Sequence, residues 1–160
     1  MTGKVFLVGA GPGDPSLITL RAVELIKKAG VVLYDRLVSK KILSMIPKKA
    51  ETVYVGRAVG DDFKHQNDTN ALMVKYAKIK RNIVRLKGGD PIIFGRGGEE
   101  AEYLKKHNIR FEIVPGITSG IGSATYAGIP LTHRKFASSV VFVTGHEDFE
   151  KNKDAVRWKK

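Results

Sequence analysis

Residues 82–100, NIVRLKGGDPIIFGRGGEE, decide the fold. Their first part, 82–86, is a short apolar run of the kind that forms a buried strand. It leads into Lys87-Gly88-Gly89-Asp90-Pro91, a turn in which glycine frees the backbone and proline stops the strand. A second glycine-rich turn at 95–98 brackets the apolar Ile92-Ile93-Phe94, and a helix is expected from Gly98 to His107. Strand, glycine turn and helix together make half of a βαβ unit.

The same grammar repeats outward in both directions. Upstream, residues 5–8 read as a strand ending in Gly9-Ala10-Gly11-Pro12-Gly13, followed by a helix capped by Ser16 or Asp14. Leu17, Leu20, Val23, Leu25 and Ile26 supply that helix with an apolar face, and Gly30 stops it. Residues 31–34 form a second strand closed by Asp35, then a brief helix at 40–45, then a third strand at 52–55 ending in Gly56. Residues 57–67 are polar and read as a mobile loop, with Asp68 as the cap of a helix reaching about Lys80. Downstream, 110–114 is a fifth strand, Pro115-Gly116 breaks the chain, and a small-residue helix spans 118–127. A further strand is expected at 140–144, and the tail from Glu147 is charged.

Strands alternating with helices predict an α/β fold: a parallel five-stranded sheet with helices on both faces. The strands are continuous apolar runs, as a sheet covered on both sides requires. Residues 1–114 would form this domain, and 115–160 the beginning of an incomplete second α/β domain. Ligands in such sheets bind beyond the carboxyl ends of the strands. Residues 9–14, Asp35, Gly56, Arg57, 88–91 and 115–119 all fall there, which predicts one active site.

With 160 residues and a formal charge of +12, the chain is a basic protein suited to an anionic partner. Nucleic acid is a weak expectation, because no run of five or more Lys/Arg exists and aromatics do not interleave with the basic residues. No stretch approaches the roughly 18 apolar residues of a membrane span, and residues 4–8 show no secretory leader, so no membrane partner is expected. The absence of cysteine fits a cytoplasmic location and removes thiolate chemistry. His65, His107, His133 and His146 lack ligand spacing, so no metal site is expected. Residues 9–13 allow two readings. Asp14 stands where a dinucleotide fingerprint has glycine, and a plain tight turn explains the glycines equally well. Asp35 is either half of a surface pair with Arg36 or a reactive carboxylate at a strand end.

Val8-Gly-Ala-Gly-Pro-Gly-Asp14 with Leu17-Ile-Thr-Leu20, and residues 84–100, are similar to the two signatures of the tetrapyrrole methylases. Tyr34-Asp-Arg-Leu-Val38, Val114-Pro-Gly-Ile-Thr118 and Gly128-Ile-Pro-Leu-Thr-His-Arg134 resemble the uroporphyrinogen-III C-methyltransferase branch of that family. The resemblance runs from residue 3 to 146. It implies methyl transfer from S-adenosylmethionine to two pyrrole carbons of uroporphyrinogen III, giving precorrin-2 for siroheme and cobalamin. By position it implies that Pro12, Gly88, Gly89, Asp90, Ile93, Thr118 and Ser119 contact the methyl donor and that Asp35 accepts a proton. Arg57 occupies the position of the family's lysine proton donor, and a guanidinium scarcely gives up a proton. The polycarboxylate substrate would give the basic charge a use, with Arg21, Arg36, Arg57, Arg85, Lys87, Arg96 and Arg134 as candidate partners. Family members form homodimers and run past residue 160, so weak or absent turnover by these residues alone is the expectation. A related methylase acting on RNA or another acceptor, and a non-catalytic ligand-binding fragment, remain as alternatives.

Overall fold

The computed structural model describes residues 3–56, 64–79 and 82–144. Five strands, β1 (Lys4–Gly9), β2 (Val31–Tyr34), β3 (Glu51–Tyr54), β4 (Asn82–Lys87) and β5 (Arg110–Val114), form one sheet in the order β3-β2-β4-β1-β5. Every pairing is parallel, with Lys4 in register with both Asn82 and Arg110. The helices are α1 (Leu20–Lys27), α2 (Lys40–Leu43), α3 (Lys64–Lys78), α4 (Gly97–Lys106) and α5 (Ser119–Tyr126).

Alternation along the strands divides the core between the two faces of the sheet. Phe6, Val8, Val32, Val84 and Leu86 meet Ala22, Leu25 and Ile26 of α1 and Ile42 of α2. Val5, Leu7, Val31, Leu33 and Ile83 meet Met73, Val74 and Ala77 of α3 and Leu104 of α4. Most of these side chains are fully shielded from solvent, so the α/β reading with both faces covered holds.

Four local expectations are corrected. Asp14 caps only a 3-10 turn (Pro15–Leu17), and the cap of α1 is Thr19, whose Oγ1 accepts from the Ala22 N–H at 3.1 Å. Leu17 therefore precedes the helix, and Leu20 is 90% exposed rather than on the buried face. Helix α3 already includes Lys64, so Asp68 lies inside it and is no cap. Within it Thr69 and Asn70 are buried, polar residues that hydrophobic periodicity does not register. Residues 140–144 form no strand, since β-branched composition makes a strand only where a neighbour completes the ladder.

Candidate active site

Strands β1 and β4 end side by side, with Gly9 in register with Lys87. The pairing continues past the strand ends. The Ala10 N–H donates to the Lys87 carbonyl at 2.8 Å, and Gly11 and Gly89 exchange both backbone bonds at 3.1 and 2.8 Å. A Cβ on Gly9 would lie 2.6 Å from the Gly116 nitrogen and 2.7 Å from the Gly89 oxygen, so only glycine permits these backbones to touch. Gly89 adopts φ of +66°, a left-handed conformation that side chains disfavour.

Asp90 clasps this junction. Its Oδ1 accepts from the N–H groups of Ile92 (2.8 Å) and Ile93 (3.2 Å), and its Oδ2 accepts from the Gly116 N–H (3.0 Å). One carboxylate thus ties the loop after β4 to the chain leaving β5. Beyond the clasp opens a cleft of about 530 Å³. Pro12, Gly88, Gly89, Asp90, Ile93, Thr118 and Ser119 all line it, and so does Asp35. The structure therefore brings together every predicted site residue except Arg57, which lies outside the described residues.

Asp35 is held from two sides. Its Oδ1 accepts from the Leu37 N–H at 3.1 Å, an Asx turn that follows β2. Its Oδ2 faces Arg85 Nη2 at 3.4 Å, so the partner of this carboxylate is Arg85 across the sheet, not the adjacent Arg36. Arg85 and Lys87 alternate with Leu86 on β4 and project under α4. There the fully buried Glu100 receives both: Arg85 Nε at 3.1 Å and Lys87 Nζ at 2.9 Å on the same Oε1. Burial pushes the Lys87 ammonium below the usual lysine range and the Arg85 charge adds to this, while Glu100 and Asp35 pull the other way.

The candidate partners for substrate carboxylates separate accordingly. Arg36 and Arg96 line the cleft with solvent-accessible side chains, although Arg96 is ion-paired with Glu99. Arg85 and Lys87 also line it but are 5% and 4% exposed and committed to carboxylates of the protein. Arg21 pairs with Glu112 and Glu24 and does not line the cleft, nor does Arg134. Sequence reasoning missed Glu100 altogether. The available signal was a pair of cations two residues apart in an otherwise apolar buried strand, which demands a counter-charge from a covering helix. Among the described residues, no group of three or more His, Asp or Glu is arranged to hold a metal.

A family model of the tetrapyrrole (corrin/porphyrin) methylases matches residues 4–159. The chain belongs to this family. It is similar to the uroporphyrinogen-III C-methyltransferase of Bacillus subtilis, 54% identical over 161 residues covering 98% of this chain and 61% of the relative. It is also similar to the siroheme synthase of Neisseria meningitidis serogroup C, 58% identical over 144 residues, covering 90% of this chain and 30% of that one. A solved structure of a Thermus thermophilus uroporphyrin-III C-methyltransferase, complexed with S-adenosylhomocysteine, superimposes with a TM-score of 0.70 at 47% identity. That match covers 86% of this chain and 53% of the other. This tetrapyrrole methylase chain thus spans less than two thirds of the length of each of these relatives.

Proposed function

We propose that this chain carries the methyl-donor wall and the proton-accepting carboxylate of an S-adenosylmethionine-dependent C-methyltransferase. Its acceptor is uroporphyrinogen III and its product precorrin-2, on the way to siroheme and cobalamin. The observation that carries this reading is the convergence of Pro12, Gly88, Gly89, Asp90, Ile93, Thr118, Ser119 and Asp35 on one cleft of about 530 Å³. That volume suits a nucleoside-sized ligand. Gly89 removes a side chain from the wall, so a flat ring can approach the backbone there, whereas a Cβ on Gly88 would lie 2.6 Å from the Leu37 Cβ.

The donor supplies a methyl group already activated by a sulfonium. What remains for the protein is alignment of the acceptor carbon with that methyl, and removal of the proton the macrocycle loses. Asp35 is suited to the proton removal, because it lines the cleft, is half-buried, and has both oxygens oriented by donors. Asp90, with its carboxylate already committed to three backbone N–H groups, shapes the donor wall and presents the remaining lone pairs of its oxygens to ribose hydroxyls. Arg36 takes a carboxylate of the tetrapyrrole, and Arg96 takes another in exchange for Glu99. Arg57 joins them in binding carboxylates rather than donating a proton.

The remaining elements of the reading are a boundary at residue 114 with a second α/β domain starting at 115, a homodimeric assembly and a cytoplasmic location without nucleic-acid or membrane partners. In its support, no helix among the described residues is long and apolar enough to cross a membrane. Calorimetric titration with S-adenosylhomocysteine tests the donor wall. Saturable binding is expected, with loss of affinity in Gly89→Val. Uroporphyrinogen III is then added and precorrin-2 followed by its absorbance. Set in a chain of its relatives' full length, Asp35→Ala should abolish that signal and spare the titration, whereas equal loss of both would make Asp35 a structural residue.

A further inference from the structure

Beneath the cleft floor lies a charged cluster whose centre is a residue with no role in the reading above. Glu100 comes from the first turn of α4, a helix end where backbone N–H groups favour acidic residues. Its side chain is 0% exposed and receives Arg85 and Lys87 on a single oxygen. Arg85 is forked: Nε goes to Glu100, Nη1 donates to the Leu86 carbonyl at 3.2 Å, and Nη2 points to Asp35. A planar guanidinium fixed at two of its nitrogens has no freedom left at the third.

We propose that Glu100 is a positioning residue for the reaction: through Arg85 it fixes the carboxylate of Asp35 in the cleft, and through Lys87 it keeps a second buried cation from competing for that carboxylate. This rests on Asp35 being the proton acceptor proposed above.

Charge counting shows why Glu100 is needed. Among the described residues, two cations, Arg85 and Lys87, face two carboxylates, Glu100 and Asp35. Without the Glu100 charge, Asp35 becomes the only carboxylate of the cluster for both cations. It is then drawn down toward the floor and out of line with a macrocycle above it. The side-chain exposure of the four supports the order of action: 0% at Glu100, 5% at Lys87, 6% at Arg85 and 22% at Asp35. Rigidity is greatest at the base and is handed up to the reacting carboxylate. A counter-ion serving folding alone would need no contact between Arg85 and the cleft.

The test compares the chain with Glu100→Gln, which keeps the volume and removes the charge. The first readout is the ¹³Cγ resonance of Asp35 in aspartate-labelled protein, assigned with Asp35→Asn. It should move in Glu100→Gln, because the link between the two residues runs through Arg85. An unmoved resonance overturns the proposal, whatever the turnover. The second readout is methyl transfer: kcat should fall by about tenfold or more, the range of a positioned acid or base, with affinity for S-adenosylhomocysteine retained. Arg85→Lys keeps the charge but loses the fork. It should reproduce both effects, and it decides the matter if Glu100→Gln does not fold, since parental behaviour of Arg85→Lys overturns the relay. Turnover is read in a chain of its relatives' full length, and a parent of that length with no turnover of uroporphyrinogen III would instead sink the proposed activity, leaving the resonance of Asp35 to judge Glu100.

Discussion

Two ion-pair networks in this molecule use the same residue types to opposite ends. On the surface, Glu112 receives Lys4 at 2.7 Å and Arg21 at 3.0 Å, and Glu24 receives Arg21 at 2.9 Å and Lys28 at 2.8 Å. All of these side chains are between 30% and 69% exposed. Under the cleft, Arg85 and Lys87 meet Glu100 with hardly any solvent contact. Water competes with every pair of the first network and holds it loosely. It is excluded from the second, where desolvation costs most and each charge depends on its neighbours. An apolar cluster would fill that space with less strain on the fold. The buried network therefore makes best sense as a device that orients Asp35, and the surface one as a solvated fringe.

The strongest way to break this contrast is Glu100→Ala, which leaves two buried cations without their shared carboxylate. A loss of about 3–5 kcal/mol is expected in urea unfolding, the range for a buried pair deprived of one partner. Next in size is the pH response of Lys87. Its folded value lies below the ordinary 10.5, so between the two values the unfolded chain binds more protons. The contribution of Lys87 to stability consequently rises as pH rises through that window. Relative to Lys87→Met, the parent should gain in urea midpoint from neutral to strongly alkaline pH; a constant difference would mean Lys87 is not desolvated. The smallest effect belongs to Glu112→Gln on the surface. Glu112 is held below its ordinary 4.5, first by the Lys4 hydrogen bond, so its contribution is present above that value and is lost on acidification. The difference in melting temperature should be slight at neutral pH and should vanish in high salt. An effect rivalling Glu100→Ala would erase the distinction.

What the sequence revealed and concealed follows the same physics. Strands β1 and β2 were readable because local composition alone marks a buried strand, and the glycines at 9, 88 and 89 because they cluster at strand ends, although the atoms that demand them lie far off in sequence. That the predicted site residues share a cleft followed from their common position at strand ends. The Asp35–Arg85 and Lys87–Glu100 pairs were not readable, since sheet order and helix packing bring them together and no periodicity encodes that. Helix α3 was entered late because residues 64–70 are all polar and carry no apolar periodicity. The apolar run 140–144 misled for the opposite reason: composition suited a strand, and pairing did not follow.

The position of β1 in the sheet has a consequence for synthesis. β1 is made first, yet it pairs with β4 on one side and β5 on the other, with Lys4 beside Asn82 and Arg110. Closing loops of that span is slow, and parallel pairing gives no reward until the distant strand exists. A nascent chain leaves β1 without its first partner until β4 has emerged, and without its second until Val114 has left the ribosome. Arg85 and Lys87 likewise have no shared carboxylate until Glu100, made thirteen residues after Lys87, arrives with α4.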